Sequence, residues 1–309
     1  MFLNIAYITK VNIASLNGSE SSGGNIVEIK KISDYEGEEY VYVSGQALRR
    51  YLKETLMQLG EKISGVDENG NPQIEGIGNL NKKLDDELKR QIFELVIDLD
   101  LFGYMLPKGD RRWSVVKVAP LLSLLPYKGE YDYLTRKQKS DESRSGNIVQ
   151  VEIDTLNYMR GNIVIDYEKI GMDVDEYTYK SAEILDKEER NRRLNKLLDA
   201  IRYFNGGAKQ ARHMEDISPK LVVVAHQRTG TPFMLNALSV DERGNIDVGR
   251  LKEALEEFKP QEYRIGITKG IFANEDEIRQ SFENVGSVSE AFEHYKDLLK
   301  RDADAPSSL

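Results

Sequence analysis

Cysteine is absent from the chain. That removes disulfides and thiolate chemistry, and it fits a protein of a reducing compartment. Histidine occurs only three times, which leaves a zinc site of nitrogen and sulfur ligands without its donors. No apolar run reaches the roughly 20 residues that a bilayer-spanning helix needs. The N-terminal MFLNIAYITKVNIASL lacks a basic start and a small-residue cleavage site, so no secretory signal is expected. Neither a Walker-type glycine loop nor a Ser-His-Asp pattern is visible. Positive charge is the scarcer sign, since 43 Lys and Arg stand against 52 Asp and Glu, for a formal net charge of -9. Such a balance argues against nucleic-acid binding through net charge alone. A local basic groove remains open to it, because screening confines charge to roughly 8 Å at physiological salt. The expectation is a soluble cytoplasmic protein with no membrane partner.

What is present is enough for a real core: 40% hydrophobic and 31% charged residues over 309 positions, ordinary for globular proteins. Residues 3–16 are rich in β-branched types and read as a first strand. NGSESSGGN (17–25) is a loop by composition. IVEIKKI and EEYVYV read as strands around the turn DYEGE. SGQALRRYLKETLMQLGEKI (44–63) reads as a helix with Ser44 at its N-cap and Leu48, Leu52, Leu56 and Leu59 as its apolar stripe. A second helix is expected over about 83–97. Residues 126–147 are long, polar and without periodicity, a composition typical of a functional or disordered segment. IVQVEIDTLNYMRGNIVID (148–166) reads as two strands about a turn at Arg160–Gly161. The clearest helix spans 186–204, ended by Asn205 and Gly206. KLVVVAHQ and EYRIGITKGIF read as strands, DVGRLKEALEEF as a helix, and 287–301 as a last helix. Strands and helices mix without a regular alternation, so the fold class is α+β.

Two segments carry the functional question. In YVYVSGQALRRYL a strand turns at a glycine into a helix, whose first turn offers free N–H groups and a positive dipole end, an anion site. Gln46, Arg49, Arg50 and Lys53 follow at i, i+3, i+4 and i+7 and so share one side. Phosphate suits such a stripe; a solvated cationic face fits the same spacing. NGGAKQARH (205–213) is the second segment, cationic throughout, with adjacent glycines. It either simply ends a helix or holds an anion.

SGQALRR after an N-terminal strand resembles the start of the backbone subunit of type I CRISPR Cascade complexes, the seventh Cas protein family. Within it the chain is similar to the DevR-type subunits of subtype I-B. IDLDLFGYM (97–105), NGGAKQARHMEDISPKLVVVA (205–225) and YRIGITKGIF follow in the family's order, so the resemblance covers most of the chain. It implies a modified RRM/ferredoxin-like palm with a helical finger insertion and a β-hairpin thumb. The matching divisions are 1–64 for the first part of the palm and 65–110 for the finger. Residues 111–166 supply palm strands with the thumb at about 126–147, and 167–309 the rest of the palm with a C-terminal helix. The implied partners are CRISPR RNA, target DNA through guide pairing, further copies of the chain in a head-to-tail helical filament, and other Cascade subunits. By resemblance the RNA-binding residues are Asn17, Ser44, Gln46, Arg49, Arg50 and Lys53 in the palm. Arg136, Lys137 and the neighbouring Lys139 belong to the thumb, and Gly206, Gly207, Lys209 and Arg212 to the second segment.

The competing reading is a metal-dependent RNA endonuclease of the related type III backbone. Asp98 and Asp100 fit either a carboxylate pair or ordinary structural acids. Glu20, the only acid in the 17–25 loop, matches no catalytic aspartate, so neither catalytic residue, metal nor cofactor is expected. His213 reads as a packing residue. Trp113, beside Arg111 and Arg112, is placed either in the core or against a base.

Overall fold

The computed structural model describes residues 1–18, 26–80, 83–107, 110–135, 148–174, 178 and 180–301. Arg136, Lys137, Lys139 and Glu20 lie outside this set.

The longest strands carry the densest β-branched sequence. β1 (Phe2–Ala14) alternates its apolar side chains across the sheet: Leu3, Ile5, Tyr7 and Val11 enter one core, Ala6 and Ile8 the other. Strand period two makes that division automatic. The other main strands are β2 (Glu39–Val43), β3 (Val116–Val118), β4 (Leu121–Ser123), β5 (Glu130–Thr135), β6 (Ile148–Asp166), β7 (Leu221–Gln227) and β8 (Glu262–Ile267). Through the sheet the order is β8-β7-β1-β6-β4-β2, and these pairs are antiparallel. β3 also pairs with β6.

Two helices complete the pattern. α1 (Gly45–Gln58) and α4 (Lys187–Arg202) pack on one face of the sheet through Leu48, Leu52, Leu56 and through Leu194, Leu197, Leu198, Ile201. Each such side chain, fully buried, contributes about 1.5–3 kcal/mol. Read as β1-α1-β4-β6-α4-β7, the chain is a ferredoxin-like βαββαβ unit with β1 and β6 central. The opposite face is covered by α5 (Val248–Phe258) and the 275–281 helix.

Between α1 and β3 the chain forms a small separate core around Ile74, Leu80, Ile92, Phe93, Leu99 and Leu106. It contains short strands between Gly65 and Asn79, then α2 (Asp86–Leu95) and α3 (Asp98–Phe102). α2 is shorter than the expected 83–97 and starts at its cap, Asp85, which accepts the Leu88 N–H at 2.8 Å. The hairpin of β5 and β6 pairs Glu130 to Ile153 through Thr135 to Ile148.

Three expectations need correction. Residues 148–166 form one strand of 19 residues rather than two strands about a turn. Gly161 is not a turn residue: it lies opposite Tyr7, and a Cβ there would stand 2.4 Å from Tyr7 Cζ. Glycine makes room for the ring. The irregularity falls instead at Leu156, whose φ of 47° interrupts the pairing with β1 between Asn157 and Thr155. Residues 287–301 break into α6 (Val288–Glu293) and a last turn Leu298–Arg301, because Asp297 adopts φ 58° and its carboxylate is drawn to Asn191 Nδ2 at 2.6 Å. Of the two readings of Trp113, burial fails, since 60% of the residue is exposed.

Candidate nucleic-acid interface

α1 begins as its sequence demands. The Ser44 hydroxyl accepts the Ala47 N–H at 3.3 Å, which satisfies one of the first-turn donors. Gly45 lets that turn press against the sheet: a Cβ there would stand 2.4 Å from the Val118 carbonyl oxygen. An oxygen of partial negative charge thus already rests against the helix start.

The stripe of four polar residues divides. Gln46 and Arg50 are exposed, and Arg50 pairs with Glu54 at 2.7 Å. Arg49 and Lys53 turn the other way, toward α3. Arg49 donates to the Phe102 carbonyl and lies 5.7 Å from the centroid of the Phe102 ring. Burial pulls its pKa below the ordinary value. Lys53 Nζ is 2.8 Å from Asp98 Oδ2, and Asp98 is fully buried.

The third side of α1 meets the 205–213 segment. Tyr51 donates its hydroxyl proton to the Leu16 carbonyl at 2.7 Å, and Thr55 donates to the Asn205 carbonyl at 3.4 Å. Gly206 lies flat under the Tyr51 ring, where a Cβ would come within 2.2 Å of Cγ. Since successive helical residues are turned by about 100°, Arg50 borders this contact while Arg49 and Lys53 lie behind the helix axis from it. Arg50 therefore adjoins the Gly206 side, Gln46 stands beside Lys53 on the far side, and α1 itself stands between Lys53 and Lys209.

Leu16 ties the end of β1 to the same place. Its carbonyl accepts the Ala208 N–H at 3.2 Å, and Ser15 bridges to Ala208. Asn17 follows directly, its carbonyl held by the Lys30 N–H at 3.0 Å. Gly207 comes close to Gln210, which donates to the Gly206 carbonyl. Lys209 has φ 58° and is exposed. Its carbonyl accepts from the N–H groups of Arg212 and His213. Arg212 reaches the hairpin, 2.6 Å from Asp132 Oδ2 on β5, and His213 stands 3.5 Å from the same oxygen. Glu215 is buried and accepts from the backbone N–H groups of Asn12 and Ile13, at 2.8 and 3.0 Å, where β1 passes the Leu156 irregularity. Asn17, Gly206, Gly207, Lys209 and Arg212, chosen from two stretches of sequence, are thus neighbours along one line between α1 and the hairpin.

Three buried polar atoms along this line, Ser15 Oγ, Asn17 Nδ2 and His213 Nε2, have no hydrogen-bond partner among the described residues. Buried polar groups are ordinarily paired; of these three, His213 Nε2 has the Asp132 carboxylate 3.5 Å away. Sequence reasoning missed Tyr51, Asp132 and Gln210. Only the helical position of Tyr51, one residue from the cationic stripe, gave any signal; the other two depend on tertiary contact.

The two aspartates of IDLDLF are spent separately. Asp98 accepts from the Ser64 N–H and hydroxyl at 2.8 and 2.7 Å besides pairing with Lys53. Asp100 accepts from Arg112 at 2.5 Å, from Arg193 at 3.1 Å and from the Gly171 N–H at 3.0 Å. Cations and N–H groups, not open space, surround both carboxylates. No group of three or more acidic or histidine residues is placed to hold a metal ion among the described residues.

Fold and surface together define an α+β protein of the ferredoxin-like class, with an inserted lobe, a long hairpin and a cradle of glycine and cations between them. The chain belongs to the CRISPR-associated DevR/Csa2 family, whose model, described as "CRISPR-associated negative auto-regulator DevR/Csa2", matches residues 5–243. Two similar solved chains come from a "CRISPR RNA-guided surveillance complex, pre-nicking" and a "CRISPR RNA-guided surveillance complex". The first has a TM-score of 0.61 at 14% identity, over 95% of this chain and 100% of that one. The second has a TM-score of 0.60 at 15% identity, over 98% and 100%. No match is found among curated proteins.

Proposed function

We propose that the chain is a non-catalytic CRISPR RNA-binding backbone subunit of a type I Cascade surveillance complex, of the I-B branch. In this reading several copies stack head to tail along one guide RNA and leave its bases free to pair with target DNA in antiviral defence. A heterologous contact that does not close produces such a filament. The site of action is the cytoplasm; no helix among the described residues is long and apolar enough to cross a membrane.

One observation carries the reading: Asn17, Gly206, Gly207, Lys209 and Arg212 line a single path bordered by Arg50, in a protein otherwise acidic. Glycines bring backbone N–H groups close to a passing phosphate. RNA backbone, held without reading its bases, is the ligand this chemistry suits. The acidic remainder discourages binding to bulk nucleic acid.

The full chain, purified and freed of nucleic acid, is titrated with guide-like single-stranded RNA over a salt series. Each phosphate contact contributes about 0.7 to the slope of log K against log salt. Lys209→Glu with Arg50→Glu is expected to lower the slope by at least about 1.4 per copy. An unchanged slope in the folded variant refutes the assignment, and specific RNA cleavage in magnesium refutes the non-catalytic role.

A further inference from the structure

A second positive surface lies beside the first. Where α4 ends and β7 begins, a groove of about 530 Å³ opens between the last turn of α4, the end of β8 and the start of α6. Arg202, Lys220, Lys269 and Arg279 line it, together with Tyr203 and several serine and threonine hydroxyls, and no acidic residue does. In a chain of net charge -9, a lining with four cations and no carboxylate is a local reversal of sign.

The cations differ in how they are held. Arg202 pairs with Glu293 at 3.4 Å, and Lys220 with Asp216 at 2.5 Å, both through carboxylates at least half exposed or nearly so. Lys220 also donates to the Ser218 hydroxyl at 2.8 Å. Lys269 and Arg279 are exposed and make no ion pair among the described residues. Arg279 feels Glu290 only at a distance, and the Glu290 carboxylate is already committed to the Ser287 N–H. Arg202 lies over the Tyr203 ring at 4.8 Å, leaving that ring 51% exposed beside the groove. Exposed ring, hydroxyls and unspent cations form a wet, anion-seeking surface rather than an apolar one.

From this we infer that the groove is a second contact for the phosphodiester backbone of single-stranded nucleic acid, distinct from the path along Gly206 and Lys209. The two are continuous: Tyr203 lines the groove, and the chain runs from it through Phe204 and Asn205 directly to Gly206. A strand leaving the glycine path toward α6 meets Tyr203 and Arg202 first, then Lys220 and Lys269. The inference rests on the nucleic-acid reading above but names residues that reading does not use.

The test compares Lys269→Gln with Arg279→Gln against Lys209→Glu, each in the full chain, using a fluorescent single-stranded RNA over a salt series. The groove variant is expected to lower the salt slope by about 1.4, and Lys269→Gln alone by about 0.7. If the groove variant leaves the slope unchanged while Lys209→Glu lowers it, the groove inference is overturned and the function stands. If neither variant changes it, both are overturned. Loss of self-association with an unchanged slope assigns the groove to the acidic surface of another copy, and overturns the inference. Inorganic phosphate that competes for the groove as tightly as the oligonucleotide shows a small-anion site, and overturns it as well.

Discussion

Lys53 offers a direct separation of architecture from ligand binding. Its ammonium is 2.8 Å from the carboxylate of Asp98, which is fully buried, and joins α1 to the inserted lobe. Lys53→Met keeps the aliphatic stem and removes the charge, leaving Asp98 with its two Ser64 hydrogen bonds. Removing one partner of a buried pair costs about 3–5 kcal/mol. Lys53 is itself 24% exposed and the carboxylate keeps two donors, so about 3 kcal/mol is expected for this pair. For 309 residues, with an unfolding entropy of about 2.1 cal/mol/K per residue, that lowers Tm by roughly 5 °C. Asp98→Asn with Lys53→Met recovers part of the loss, because no charge is then stranded, and the cycle yields a coupling of about 1–3 kcal/mol. Calorimetry and denaturant titration read both quantities, while RNA affinity below the new Tm stays within about twofold, under about 0.5 kcal/mol. A Lys53→Met protein with unchanged Tm and sharply weaker RNA binding would refute this reasoning and put Lys53 on the RNA.

Three further outcomes are expected. Gly206→Val drives a side chain into the Tyr51 ring, so it costs about 1–3 kcal/mol and misplaces the Lys209 turn; unaltered urea stability refutes the close packing. Gly161→Val meets Tyr7 in the same way at the centre of the sheet, and soluble expression at the wild-type level would count against the pairing of Gly161 with Tyr7. Burial alone would raise the Glu189 pKa, but hydrogen bonds from Arg192 and Arg193 outweigh it and hold the value below the ordinary glutamate one. The folded state therefore gains stability above the unfolded value of about 4.3 and loses it as pH falls through the lower folded value. Glu189→Gln should flatten that acid limb of a stability-pH profile, and a profile identical to wild type contradicts the linkage.

Much of the fold is legible in the sequence. The leucines of α1 and α4 sit at helical spacing, and that spacing puts them inside wherever the helix lies. β1 and β7 announce themselves by β-branched content. Errors arise where a residue acts on something distant in the chain. Gly161 reads as a turn because its partner, Tyr7, is far upstream. Asp297 splits the last helix because Asn191 on α4 draws its carboxylate away. The binding surface shows the same limit. Periodicity puts Arg49, Arg50 and Lys53 on one broad side of α1, yet it cannot say that Asp98 and the Phe102 carbonyl wait on part of that side. Gly206 and Lys209 stand out by composition alone, since adjacent glycines with cations are unusual in an acidic chain. Their joining to Asn17 requires the Leu16–Ala208 contact, which no local pattern encodes.

β6 is one uninterrupted span from the hairpin into the middle of the sheet. Its upper half is braced by β1 as far as Ala14, by the parallel segment Ile26–Val27 and, through β5, by the Arg212–Asp132 pair. Among the described residues the ladder at the hairpin base is interrupted at Asn12 and Leu156, and Glu215 clamps the backbone on the Asn12 side. The same strand that forms one arm of the hairpin is therefore the central strand of the sheet, so the hairpin is covalently continuous with the core. The glycine cradle is tied to both partners of that junction, to β1 through the Leu16–Ala208 hydrogen bond and to the hairpin through Arg212 and Asp132, so a substitution that displaces the hairpin base reaches the cradle through contacts already in place.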